Sequence, residues 1–186
     1  SEELIVGIVG RFDPLKDQKN FVYAATEILT DYENVKFLMI GRGLDSENKI
    51  LMDWLAESNI GNKFVLAGYR SDIPFCLSAM DIFCLSSRKE SFPNVVCEAM
   101  SMNLPCVVTN VGDVSVIIGS TGIVVPPEDY KLLSKGLTSM IDKGREGRIR
   151  LGKQARQHIL ENYSIQMISS RYEKLWFDVE NGPEKF

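Results

Sequence analysis

Short runs of consecutive apolar residues alternate, over the first two thirds of the chain, with longer stretches in which apolar positions recur every three or four residues. The short runs lie at 4–9, 35–40, 63–67, 81–85, 106–109 and 122–125 and predict strands. Almost every position in them is apolar, so both faces of their sheet must be covered, as parallel sheets are. The periodic stretches near 18–31, 46–58, 72–79, 94–103 and 113–118 predict the crossover helices between them. Pro105 before the fifth strand and Pro126-Pro127 after the sixth suit strand boundaries. The pattern implies an α/β fold: a three-layer α/β/α domain around a six-stranded parallel sheet.

After Asp129 the pattern becomes wholly helical, at 129–143, 146–162 and 164–180. Ser164 is a good N-cap, and Ile165, Ile168, Tyr172, Leu175, Trp176 and Val179 follow at helical spacing. So large a stripe needs a surface, either this domain's own sheet or a domain outside this chain. Residues 1–186 read as one domain, and Ser1-Glu2-Glu3 leads into the first strand so abruptly that the start reads as a cut into a longer chain.

Composition narrows the classes. A net charge of -4 with no basic cluster argues against nucleic acid as a partner. Any bound anion must then be held by a few placed cations and backbone N–H groups. Cys76, Cys84, Cys97 and Cys106 form no Cys-x-x-Cys pair, and three of them sit in apolar runs, which fits small core residues in a reducing compartment. No signal peptide and no apolar run long enough to cross a membrane is present, so the expected location is cytoplasmic.

In an open parallel sheet, ligands bind beyond the carboxyl ends of the strands. The first strand is followed by Gly10-Arg11-Phe12-Asp13-Pro14-Leu15-Lys16, without the Gly-x-Gly-x-x-Gly of a dinucleotide site. Arg11 offers phosphate two parallel N–H bonds and Lys16 a point charge; the plainer alternative is two solvated loop cations. Gly41-Arg42-Gly43 after the second strand predicts a tight turn with one glycine at positive φ. Tyr69 and Arg70, after the third, stand where a base could meet the backbone, or simply form a turn.

The most informative segment follows the fourth strand: Glu90-Ser91-Phe92-Pro93-Asn94-Val95-Val96-Cys97-Glu98, crossing from loop into helix. A helix start carries roughly +0.5 charge and free N–H groups that attract phosphate, while carboxylates accept hydrogen bonds from hydroxyl groups. Pro93 suits the first helical position, leaving Asn94, Val95 and their neighbours as donors. Glu90 could then hold a sugar ring and Glu98 the vicinal diol of a ribose, which points to a nucleotide-sugar; a surface acid and a helix acid are the alternative. His158 lies in a charged helix and is expected to face solvent. As the one histidine, with no cysteine pair, it makes a zinc site implausible, and neither an Asp-x-Asp metal clamp nor Gly-x-Ser-x-Gly is present.

On Glu90 and Glu98 with Ala99-Met100 following, together with Gly10-Arg11 and Lys16, Gly41-x-Gly43, Asp81-Ile82-Phe83 and Asn162-Tyr163-Ser164, the chain resembles a known family. From about Leu4 to Val179 it is similar to the C-terminal, donor-binding domain of retaining GT-B glycosyltransferases, the glycosyl transferases group 1 (family four). The resemblance implies a Rossmann-like domain, the C-terminal half of a GT-B fold, in which Arg11 and Lys16 contact the donor diphosphate, Glu90 the transferred sugar and Glu98 the ribose. Ser91, Phe92, Asn94 and Val95 would supply backbone donors, with Gly10, Tyr69 and Arg70 completing the donor site. It further implies hexosyl transfer from a nucleotide-sugar, a UDP-sugar by preference, to an acceptor hydroxyl, with retained configuration and with neither metal nor cofactor. The carbohydrate or lipid-linked acceptor would sit on a missing N-terminal domain, towards which helix 164–180 would return, and through which the longer protein could lie at the inner face of a membrane. Similar enzymes with Glu-Ser-Phe-Pro-Asn often build bacterial surface polysaccharides. One departure stands out: the family usually carries Gly-Gly-x-x-Glu after strand five, whereas this chain has Gly112-Asp113-Val114-Ser115-Val116. A sugar-nucleotide epimerase or phosphorylase of the same build, or a non-catalytic nucleotide-binding module, remain the alternatives.

Overall fold

The computed structural model describes residues 3–182; Ser1 and Glu2, at the abrupt start noted above, lie outside them. Strands β1 (Leu4–Val9), β2 (Val35–Ile40), β3 (Phe64–Gly68), β4 (Ile82–Leu85), β5 (Cys106–Thr109) and β6 (Ile123–Val125) form one sheet in the order β3-β2-β1-β4-β5-β6. Every pairing is parallel. The chain winds from β1 out to β3, then returns to the other side of β1 with β4. The β1/β4 boundary is therefore the switch point at which such sheets bind ligands.

Alternation along the strands divides the core into two. Val6, Ile8, Phe37, Met39, Ile82 and Val107 face one layer, covered by α1 (Gln18–Ile28), α2 (Lys49–Glu57) and α6 (Tyr130–Asp142). Ile40, Phe83, Leu85, Cys106 and Val108 face the other, under α3 (Ile73–Ser78), α4 (Asn94–Ser101), α5 (Val114–Ile118) and α7 (Gly144–Asn162). Phe21 of α1 meets Phe37 edge-on at 5.7 Å between ring centroids, and Phe64 stacks on Phe37 at 5.0 Å. Burying each such ring contributes about 1.5–3 kcal/mol, so this trio anchors α1, and with it the loop that precedes α1, to the sheet.

Several expectations shift at element ends. Helix α1 stops at Ile28 rather than 31, where Leu29–Tyr32 closes in successive turns and Tyr32 donates to Asp142 at 2.5 Å. Residue 63 belongs to a 3₁₀ turn, Gly61–Lys63, not to β3. Both glycines of Gly41-Arg42-Gly43 have positive φ, at 147° and 76°, where one was expected. His158 does not face solvent: it packs half-buried between Gly119 and Tyr163, with Nε2 buried and unpaired. It shares the inward arc of α7 with Ala155 and Ile159, which the surrounding charges disguise.

Helix α8 (Ile165–Asn181) starts as expected, Ser164 Oγ accepting the Met167 N–H at 3.3 Å. Its apolar stripe is not covered by this domain's sheet: Ile165, Tyr172, Leu175, Trp176 and Val179 are each more than half exposed.

Candidate functional site

Two loops meet over the switch point. In the first, after β1, Asp13 Oδ1 accepts the Leu15 N–H at 2.9 Å and caps a 3₁₀ turn, Pro14–Lys16, which the apolar pattern does not reveal. Gln18 secures the turn from behind, its Nε2 donating to the Arg11 carbonyl at 2.8 Å. The turn places Lys16 over the ends of the central strands β1 and β4. In the second loop, after β4, Ser86 and Ser87 are buried and Thr109 Oγ1 of β5 donates to the Ser87 carbonyl at 2.7 Å. The Ser87 hydroxyl in turn donates to Glu90 Oε1 at 2.6 Å.

Lys16 Nζ reaches the same Glu90 oxygen at 2.6 Å, joining residues far apart in sequence. The two side chains are 28% and 10% exposed, so the pair is desolvated on the glutamate side and open on the lysine side. Beneath it, between the ends of β1 and β4, lies a crevice of ≈ 10 Å³ bordered by Gly10, Lys16, Ser86 and Ser87. It holds no more than a water molecule, so a ligand must lie above this rim. A roomier cleft of ≈ 220 Å³ opens by Phe12, Ile50 and Trp54 on the outer side of the β1 loop, and none of the sequence-predicted site residues lines it.

The other predicted residues are distributed around the pair. Arg11 is turned away: its Nε bonds Asp13 Oδ2 at 2.9 Å and its side chain is 70% exposed. The Leu15 amide, with Arg11 beside it, holds the Asp13 carboxyl below its ordinary range. Lys16 and Glu90 touch, while Arg11 is held by a neighbour two residues on, and Glu98 stands exposed on the second turn of α4. Asn94 is exposed at the first turn and Val95 half-buried. Pro93 is the N-cap rather than the first helical residue, since its ψ of 94° is extended; its carbonyl accepts the Val96 N–H at 3.0 Å. Exposed Ser91 and Phe92 complete the loop, the Phe92 ring lying 6.0 Å from that of Tyr163. Gly10 donates its N–H to the Ile40 carbonyl at 2.9 Å, holding the start of the β1 loop against β2. Tyr69 is 70% exposed, and Arg70 is bound at 2.8 and 2.6 Å to Asp72.

The unusual loop after β5 supports Glu90 from below. Gly112 has φ 51°, and a Cβ there would lie 2.3 Å from the Glu90 carbonyl oxygen and 2.6 Å from that of Ser91. The Asp113 N–H then donates to the Ser91 carbonyl at 3.1 Å. Asp113 itself has φ -87°, open to any residue, which explains why an aspartate is tolerated where the family usually has a second glycine. Sequence reasoning missed Asp17, Gln18, Ser86, Ser87 and Arg88. The signal available was small or polar residues directly following the two central strands.

Among the described residues, no three His, Cys, Asp or Glu side chains are grouped to hold a metal ion, and no helix is long and apolar enough to cross a membrane.

Comparison with known proteins agrees with this architecture. The chain is 28% identical over 181 residues to N-acetyl-alpha-D-glucosaminyl L-malate synthase of Bacillus anthracis, covering 96% of this chain and 46% of that protein. It is 27% identical over 179 residues to the capsular polysaccharide biosynthesis glycosyltransferase CapM of Staphylococcus aureus, covering 95% and 46%. The chain thus spans less than half the length of these curated relatives. Among solved structures, Anabaena HepE in complex with UDP-glucose superposes with a TM-score of 0.83 at 20% identity, covering 95% of this chain and 49% of that one, a likeness of fold. Residues 1–158 match the family described as "Glycosyl transferases group 1", and the chain belongs to that family.

Proposed function

We propose that this chain is the donor-binding half of a retaining, metal-independent hexosyltransferase that uses a UDP-sugar and needs no cofactor. The observation that carries the reading is the Lys16–Glu90 pair, a cation and a carboxylate side by side above the switch point, beside the start of α4. A nucleotide-sugar satisfies both: its diphosphate takes the ammonium and its sugar hydroxyls donate to the carboxylate. Charge grows on the diphosphate as it leaves, so preorganised cations and N–H donors there lower the barrier. Arg11 joins Lys16 on the diphosphate once it lets go of Asp13. Glu90 positions the sugar, Glu98 takes the ribose hydroxyls, and Ser91, Phe92, Asn94 and Val95 offer backbone donors. Gly10 permits close approach, and Tyr69 and Arg70 flank the base.

Supporting the donor class, HepE was crystallised with UDP-glucose, and CapM is named for capsular polysaccharide biosynthesis. The acceptor, a carbohydrate or a lipid-linked sugar, would be held by an N-terminal domain that also covers the α8 stripe. The full reaction therefore needs both halves, at the cytoplasmic side of a membrane. Calorimetric titration with UDP-, GDP- and ADP-sugars tests the reading: UDP-sugars should bind most tightly. Indifference of the folded protein to all three would overturn it.

A further inference from the structure

A second ion pair joins the same two loops. Asp17 lies in the left-handed region at φ 48°, ψ 49°, uncommon for a residue with a side chain. It occupies the position before α1, where an aspartate ordinarily accepts a free amide of the first turn, yet its side chain makes no such bond. Instead the carboxylate, 4% exposed, is turned to Arg88. Arg88 Nη2 donates to Oδ1 at 3.1 Å, while Nε stands 2.9 Å from Oδ2, outside hydrogen-bonding angles, as an ionic contact. Two further ties accompany it: the Arg88 N–H donates to the Leu15 carbonyl at 2.8 Å, and Ser86 Oγ to the Lys16 carbonyl at 2.9 Å. Residues 15, 16 and 17 of one loop are thereby fastened to 86 and 88 of the other. Glu128, 3.9 Å from Arg88 and 62% exposed, adds little.

We infer that Arg88 and Asp17 are positioning residues: their clamp sets the spacing of the two loops so that Lys16 and Glu90 serve one ligand. The inference rests on the donor-site reading above. A carboxylate withdrawn from helix capping and kept in a strained backbone region is explained by this second task. On this inference each acts through the spacing of Lys16 and Glu90 rather than by contact with the donor, although both border the ≈ 220 Å³ cleft beside Phe12 and Trp54.

The test compares UDP-glucose affinity by calorimetry in the unsubstituted protein, Arg88→Met, Asp17→Asn, Lys16→Met and the Arg88→Met/Lys16→Met pair. Asparagine is chosen because it tolerates the left-handed region and nearly matches aspartate in shape, so it carries the comparison if Arg88→Met does not fold. Each clamp variant should weaken binding about tenfold, and Arg88→Met should weaken it no more than about twofold once Lys16 is gone, as expected of coupled sites. Arg88→Lys should restore part of the affinity. Unchanged affinity in the clamp variants, or an equal loss with and without Lys16, overturns the positioning role. Absence of binding by the unsubstituted protein removes the donor-site reading itself and this inference with it, a result visible before any substitution is made.

Discussion

Replacing Lys16 with methionine strips the Glu90 carboxylate of its counter-charge and leaves Ser87 as its remaining side-chain partner. An exposed pair would contribute about 0.2–1 kcal/mol. Removing one partner of a fully buried pair costs about 3–5 kcal/mol. With side-chain exposures of 28% and 10%, the pair falls between these limits. Lys16→Met should therefore destabilise by about 2 kcal/mol, roughly 4–8 °C in Tm for a domain of this size. Glu90→Gln should cost less, about 1 kcal/mol, because the ammonium it orphans can reach water. The decisive variant carries both changes: with no charge left to strand, its loss should be about 1.5 kcal/mol, well short of the sum of the singles. Urea unfolding midpoints at constant m measure all three. Additivity within about 0.4 kcal/mol would refute the claim that these groups stabilise one another.

Three further outcomes follow from particular contacts. Gly112→Ala should cost about 2–3 kcal/mol, from left-handed strain and from a clash that displaces the Glu90–Ser91 backbone, whereas Asp113→Gly should cost under about 1 kcal/mol; equal thermal shifts would contradict this. Burial pushes the Cys97 thiol up to about 11, so its reaction with a thiol-specific disulfide reagent should be slow at pH 8 and accelerate towards that value. The buried Cys84 and Cys106 should stay silent until the protein unfolds, and rapid labelling of all four at neutral pH would overturn the assignment. On α8, Leu175→Ser with Trp176→Ser should change stability by no more than about 0.5 kcal/mol per site, since both side chains project into solvent; a fall of many degrees in Tm would mean that the stripe is packed.

The strands were legible because each is short and apolar on both faces, and helix existence followed from period. What the pattern could not show was geometry built from hydrogen bonds at element ends. The Pro14–Lys16 turn depends on an Asp13 side chain capping its own loop, and the early end of α1 on Tyr32 meeting a helix far along the chain. Within the site, Lys16 and Glu90 stood out as charges after central strands, but their direct contact is long-range and left no local trace. That Arg11 bonds Asp13 two residues on does not follow from its place after a strand, since the same spacing suits a phosphate ligand or a solvated cation. The charges around His158 point to solvent, whereas its spacing from Ala155 and Asn162 places it on the inner arc.

A rim whose ammonium and carboxylate neutralise each other discriminates by exchange. Free monosaccharide offers hydroxyls but nothing to relieve the ammonium, and inorganic phosphate displaces the carboxylate without giving it a donor. Each alone must separate opposite charges and restore half of what it breaks. A molecule carrying both groups, correctly spaced, replaces both halves at once, so under the proposed function the protein should ignore sugar or phosphate alone and respond to the nucleotide-sugar.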